Sequence, residues 1–270
     1  MRIFAPTYYK DFKCIADKCR HNCCIGWEID IDEATLRRYR NDDGIMNKVS
    51  LIYTPHFVLG EDERCPFLGN DNLCEIIKQH GEGYLCQICR DHPRFYNEFD
   101  SRTEVGIGLT CEAAARLIID NDLFIEEIAQ DEELSYSSVE EKDFFEQRDE
   151  IFQSRPSDYK YLLPNIMVAE LARLFKELER LDPEWDDVLD RHLDRYDKIH
   201  QTDVDTQEAT RLFHYFVFRH LHKYGLPFCV LCTYFILSLD GDIYEIARQF
   251  SSEIEYSDQN IDALIEEVLL

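Results

Sequence analysis

Eight of the eleven cysteines fall between residues 14 and 89, and no other feature of the chain constrains its folding as tightly. Cys14, Cys19, Cys23 and Cys24 form a C-x4-C-x3-C-C cluster. Cys65, Cys74, Cys86 and Cys89 form a second, C-x8-C-x11-C-x2-C. Sulfur at this density has two structural uses. It cross-links loops as disulfides, or as thiolate it holds metal.

The remaining sequence decides between them. A chain of 270 residues that is 45% hydrophobic can bury a core without a disulfide framework. The opening MRIFAPTYYKDFKC lacks the apolar segment of a secretion signal, and no apolar run approaches the ~20 residues of a membrane helix. The expected compartment is therefore the cytoplasm, where thiols stay reduced and clustered cysteines serve metal or redox chemistry.

Charge narrows the partners. With 55 acidic against 29 basic residues the formal net charge is −26. A nucleic acid partner is excluded, because such binding needs a Lys/Arg-rich face. A basic partner, such as a lysine-bearing protein, is attracted instead. The plainer role of this charge is a solvated, soluble surface.

The composition changes near residue 112, after which Cys229 and Cys232 are the only cysteines. The sequence predicts a mainly α protein. A loop-rich, cysteine-organised metal-binding region with short strands spans 1–112, and a helical, bundle-like region spans 113–270, the two able to share one core. Within the first region, 32–39 reads as a short helix capped by Asp30 or Asp32. Phe57 to Leu59 and Val105 to Ile107 read as short strands. In the second, helical spacing predicts helices over 111–129, 159–181, 206–224 and 228–250, with a last amphipathic segment at 258–270. Gly225-Leu226-Pro227 separates the third from the fourth, and Asp182-Pro183-Glu184 ends the second and starts another.

Cys86-Gln87-Ile88-Cys89 lets two thiolates turn toward one ion, and six more cysteines close by make metal the reading. Eight thiolates fill two structural zinc sites, and a 4Fe-4S cluster takes four, so spacing leaves zinc and iron–sulfur both open. Vicinal Cys23 and Cys24 do not both suit one mononuclear ion, since adjacent side chains diverge. His21, His56 and His92 are near enough in sequence to replace a thiolate. Cys111 reads as a small hydrophobe at a helix start, and Cys229 and Cys232, within FCVLCTYFILSL, as core residues.

These residues also carry a resemblance. Tyr8-Tyr9-x2-Phe12-x-Cys14, Cys19-x3-Cys23-Cys24-x2-Trp27-x-Ile29-Asp30, Cys65-Pro66-Phe67-Leu68, Leu73-Cys74-x-Ile76, Gly81-Glu82, Leu85-Cys86-x2-Cys89 and Pro93-Arg94 follow in order. Over about residues 6–118 the chain resembles the flagellin lysine-N-methylase family, cysteine-cluster proteins regarded as zinc- or iron-chelating. The resemblance implies methyl transfer from S-adenosylmethionine to lysines of flagellin, with an iron–sulfur cluster involved. It carries the metal-site residues to Cys14, Cys19, Cys23, Cys24, Cys65, Cys74, Cys86 and Cys89. The chain departs from the family where Cys111-Glu112-Ala113-Ala114 and His92-Pro93-Arg94 stand in place of Cys-Pro-Glu-Ala and Tyr-Pro-Arg. No glycine-rich strand-to-helix loop of the Rossmann type is present in the sequence. Glu104 and Tyr9, beside the cysteine region, are candidates for deprotonating a lysine, each with a structural role as the alternative. Beside the enzyme stand two other expectations: a non-enzymatic protein folded by zinc, and a thiol redox sensor at Cys86 and Cys89.

Overall fold

The helical periodicity beyond residue 112 is largely realised in the computed structural model of the protein, which describes residues 2–130, 138–182 and 184–269. The fold is mainly α with short strands. Two compact units make it up, Lys13–Arg94 and, from both sides of it in sequence, Met1–Phe12 with Phe95–Leu270. The division at Arg94 does not coincide with the composition change near 112, because the strands around residue 100 build the sheet of the larger unit.

The chain opens with β1 (Arg2–Pro6), which belongs to that larger unit. The smaller unit begins its regular structure at α1 (Glu33–Tyr39), where Asp32 Oδ1 accepts the Thr35 N–H at 2.9 Å and caps the helix. The short α2 (Asp43–Met46) is capped in the same way by Asp42. A hairpin of β2 (Val49–Ser50) and β3 (His56–Phe57) follows, then α3 (Glu75–His80) and α4 (Gln87–Asp91). Ile29, Ile31, Leu36, Tyr39, Phe57 and Phe67 close a small core into which Cys65 and Cys86 are packed.

In the larger unit, β4 (Arg94–Glu98) and β5 (Arg102–Ile107) lead to α5 (Glu112–Asp120) and β6 (Ile125–Gln130). The sheet order is β4-β5-β1-β6, with β1 parallel to β5 and antiparallel to β6. Helices α6 (Val139–Ile151), α7 (Val168–Glu177), α8 (Glu184–Asp190), α9 (Gln207–Ser238), α10 (Ile243–Phe250) and α11 (Asp258–Leu264) complete the unit. Helix α9 is apolar around most of its circumference and is accordingly the buried centre. Phe235 from α9 stacks on Phe175 of α7 at 4.3 Å between centroids and 5° between planes. Phe250 and Trp185 pack around them. Such ring pairs are each worth about 0.5–1.5 kcal/mol beyond area burial.

The expected break in α9 is present. Gly225 has φ 77° and ψ 174°, a conformation open to glycine, two residues before Pro227, which has no N–H to donate. The second half ends at Ser238, and α10 is a separate helix rather than its continuation to residue 250. The helix predicted over 111–129 stops at Asp120, and Ile125–Gln130 forms a strand. Ile125 and Ile128 suit either period, and the free edge of β1 claims the backbone. The helix predicted over 159–181 is shorter, Val168–Glu177, because Pro164 cannot supply an interior N–H. A tight 3-10 stretch, Pro156–Leu162, precedes it. Residue 258 does begin α11, which widens into a π-turn over Ile265–Leu269. Of the predicted stop at 182–184, Pro183 lies outside the described residues; α8 starts at Glu184. Phe57 and Val105 to Ile107 lie in strands as expected. Among the described residues no helix is long and apolar enough to cross a membrane.

Candidate metal centre

Local hydrogen bonds deliver the cysteines of the smaller unit to one place. The Cys65 N–H donates to the Cys24 carbonyl at 2.8 Å, and Ile25 bridges Arg64, so the two sequence clusters meet through backbone. Trp27 Nε1 donates to the Cys23 carbonyl at 2.6 Å and fixes the turn before it. Cys74 and Cys86 directly precede α3 and α4, where unpaired backbone N–H groups favour thiolate.

Helix α1 holds the Cys86–Cys89 segment in position. Asp32 Oδ2 accepts the Gln87 N–H at 2.8 Å, Arg38 donates to the Gly83 carbonyl at 2.6 Å, and Tyr39 donates to the Tyr84 carbonyl at 2.8 Å. None of these three residues was expected at the centre apart from the capping role of Asp32. Cys86 and Cys89 place their sulfurs 3.4 Å apart.

Six of the eight expected thiols lie within electrostatic reach of one another: Cys24 is hydrogen-bonded to Cys23 and Cys65, Cys86 to Cys89, and Cys74 feels the charges of Cys65 and Cys23. Among the described residues no three of these sulfurs lie within 4.8 Å of one another. Hydrogen bonding from Cys24 holds the Cys23 thiol low and brings Cys65 down to about 7, with Lys48 assisting at Cys65. Cys86 is likewise lowered by the hydrogen bond from Cys89. The donors move the other way. Cys24 and Cys89 are pushed far up because each shares its proton with a neighbouring sulfur, and burial adds to this. Burial also raises Cys74. Such an array cannot ionise throughout while protons alone offset its charge.

The other two cysteines lie differently. Cys14 is exposed and accepts the Ala16 N–H at 3.4 Å; the Cys19 thiol donates to the His21 carbonyl at 3.2 Å. Among the histidines, His56 bonds the Thr54 carbonyl and Glu28. His92 packs beside Trp27, and burial lowers its pKa to about 4, so its imidazole is neutral at pH 7 and able to ligate. Thiols with an imidazole in the same unit are the donor types that zinc and iron–sulfur centres use.

In the larger unit Cys111 is half-buried at the start of α5, and Cys229 and Cys232 are fully buried in the core. Glu104, a candidate base, is 0% exposed and bound by Arg148 through two hydrogen bonds of 2.6 and 2.7 Å, with Arg102 at 2.5 Å. Its role is an internal ion pair. Tyr9 packs half-buried against the helical core.

No family model matches the chain, and no solved structure does. Curated relatives are found among Salmonella proteins. "Lysine-N-methylase" of Salmonella choleraesuis and that of Salmonella typhimurium are each 27% identical over 132 residues, covering 43% of this chain and 32% of the relative. The chain thus spans about a third of the length of those two proteins. "Flagellar biosynthetic protein FliU" of Salmonella muenchen is 26% identical over 130 residues, 43% of this chain and 77% of the relative. Over less than half of its length, then, the chain is similar to proteins named for lysine methylation and for flagellar biosynthesis.

Proposed function

We propose that the chain is a protein-lysine N-methyltransferase that takes its methyl group from S-adenosylmethionine and acts on flagellin or another lysine-bearing protein. In this reading a 4Fe-4S cluster is held by thiols drawn from Cys23, Cys24, Cys65, Cys74, Cys86 and Cys89. The similarity to relatives named lysine-N-methylase carries the reaction. The hydrogen-bonded thiols of Cys23, Cys24 and Cys65, and of Cys86 and Cys89, support the metal.

Held by thiols among these six, such a cluster would supply a Lewis-acidic iron site to the cofactor. The chain's residues do the rest. Asp32, Arg38 and Tyr39 hold the Cys86–Cys89 segment, and Trp27 holds the turn at Cys23. The acidic surface draws in the lysine ammonium, which must lose a proton before its Nζ can attack a methyl group. Glu104 is not the proton acceptor, since its carboxylate is shut away between two guanidinium groups.

A second reading is favoured by one distance. The 3.4 Å between Cys86 and Cys89 sulfurs is close to the roughly 3.8 Å between thiolates on a tetrahedral zinc ion, which would make the centre structural. Purification without oxygen, followed by visible absorption, metal and sulfide analysis, separates the two. A brown protein with iron and sulfide that moves a labelled methyl from adenosylmethionine to a flagellin lysine is expected. Colourless protein with zinc and no transfer overturns the enzyme.

A further inference from the structure

We infer that the tip of the β2–β3 hairpin, Leu51-Ile52-Tyr53, is a docking surface for a basic amphipathic helix of a polypeptide partner. These three bulky apolar residues follow one another at 61%, 68% and 101% exposure. Single exposed apolar side chains are ordinary on any protein. Consecutive ones at a loop tip form a patch that a partner can cover.

The tip is built to hold its shape. Ser50 Oγ accepts the Ile52 N–H at 3.3 Å on the outgoing limb. On the return limb the Pro55 carbonyl accepts the Ile31 N–H at 2.7 Å, and His56 Nδ1 lies 2.8 Å from the Thr54 carbonyl. At the apex Tyr53 has φ 60°, in the left-handed region that disfavours a large side chain. Glycine would relieve that strain, yet the position carries an aromatic ring wholly in solvent. A ring so placed buries nothing within the unit, so its contribution is to something outside it.

Charge selects the occupant. Residues 51–58 contain no Lys or Arg. The return limb is flanked by Glu28, whose carboxylate lies 3.1 Å from the His56 imidazole, and by Asp30, bridged to the His56 backbone. Both acidic residues are exposed. An apolar tip beside carboxylates fits an amphipathic helix whose apolar stripe covers the three side chains while its flanking lysines meet Glu28 and Asp30. The same carboxylates, in a chain of net charge −26, repel an anionic membrane and a second copy of the chain. The surface stands without methyl transfer; only the partner's being the methylated protein rests on that reading.

The test is fluorescence anisotropy with a dye-labelled leucine–lysine amphipathic peptide, against its leucine–glutamate counterpart. Leu51→Ser with Ile52→Ser and Tyr53→Ser is expected to weaken binding of the leucine–lysine peptide about tenfold, part of what burying three apolar side chains yields. Tyr53→Gly is expected to weaken it without lowering the thermal midpoint, since glycine accepts the backbone conformation. Glu28→Gln with Asp30→Asn is expected to weaken it about threefold, and the leucine–glutamate peptide to stay unbound. Tyr161→Ser with Tyr196→Ser removes exposed apolar surface from the larger unit and is expected to leave affinity unchanged.

Equal affinity in the tip and control variants overturns the docking surface. Affinity indifferent to Glu28→Gln with Asp30→Asn overturns the choice of a basic partner. Tip-dependent sedimentation with phosphatidylcholine–phosphatidylglycerol vesicles, or tip-dependent dimerisation, overturns the choice of a polypeptide other than this chain. Tip-dependent peptide binding in a protein that transfers no methyl group sustains the surface and removes the enzyme. Methyl transfer to flagellin with peptide binding indifferent to the tip sustains the enzyme and removes the surface.

Discussion

Asp32 and Gln87 are joined by a 2.8 Å hydrogen bond from the Gln87 backbone N–H to Asp32 Oδ2, while the other oxygen of the same carboxylate caps α1 through Thr35. One side chain therefore ties a helix start to the residue after Cys86. Burial works against its charge, yet the two N–H groups outweigh it and hold the carboxyl below its ordinary value. Asp32→Ala is expected to cost about 2 kcal/mol in urea unfolding, a lost cap plus a lost tether, and to lower bound metal. Asp32→Asn, which keeps an acceptor, is expected to lose less. With its pKa depressed, the contribution of Asp32 is complete above about pH 4 and fades as pH falls through the lowered folded value.

The thiol array divides the cysteines by role. Cys86→Ser is expected to lose bound metal on analysis of freshly purified protein, because Cys86 sits at the start of α4 against Cys89. Cys14→Ser, at an exposed position outside the converging six, is expected to keep it. Equal loss in both would show that Cys14 ligates after all.

The Glu104–Arg148 pair is buried at 0% and 1% exposure. Arg148→Met leaves the buried Glu104 carboxylate with Arg102 as its one guanidinium partner and is expected to destabilise the larger unit by about 2–3 kcal/mol in chemical denaturation. Adding Glu104→Leu is expected to restore part of that loss, since the under-paired carboxylate goes while Arg102, 18% exposed, still reaches solvent.

His222 gives a pH signature. Burial, with Lys223 nearby, lowers its pKa to about 4 in the fold, whereas the unfolded chain titrates near the ordinary ~6.5. Between these values the unfolded state binds more protons, so stability rises with pH across that window. Comparing denaturation of the protein and His222→Gln at pH 7 and pH 5 is expected to show a smaller drop in the variant.

Gly225 is the backbone hinge of α9. A Cβ there would meet Pro227 Cδ at 3.7 Å, an ordinary contact, so the obstacle is conformational rather than steric crowding. Gly225→Ala is expected to cost about 1–3 kcal/mol through φ and ψ alone, read as a shift in the thermal midpoint.

The break at Gly225 and Pro227 is legible in sequence because both residues restrict the backbone by themselves. Strand β6 is not, since Ile125 and Ile128 fit two periods and the strand that claims them lies more than a hundred residues earlier. The candidate centre divides along the same line. Cysteine density announces thiolate chemistry, yet the meeting of these six depends on Asp32, Arg38 and Tyr39 reaching across some 45 to 55 residues, a relationship no local pattern carries. Glu104 misleads for a related reason. Its position beside the cysteine region suggests chemistry, and its partner Arg148, 44 residues on, removes it from solvent.

The discontinuity of the larger unit has a consequence for biosynthesis. Strand β1 leaves the ribosome first, but its neighbours β5 and β6 are complete only at residues 107 and 130. Residues 13–94 form a contiguous unit, so all six converging cysteines emerge while the first strand still awaits its partners. Translation order thus lets the sulfur-rich unit collapse before the sheet that brackets it in sequence exists.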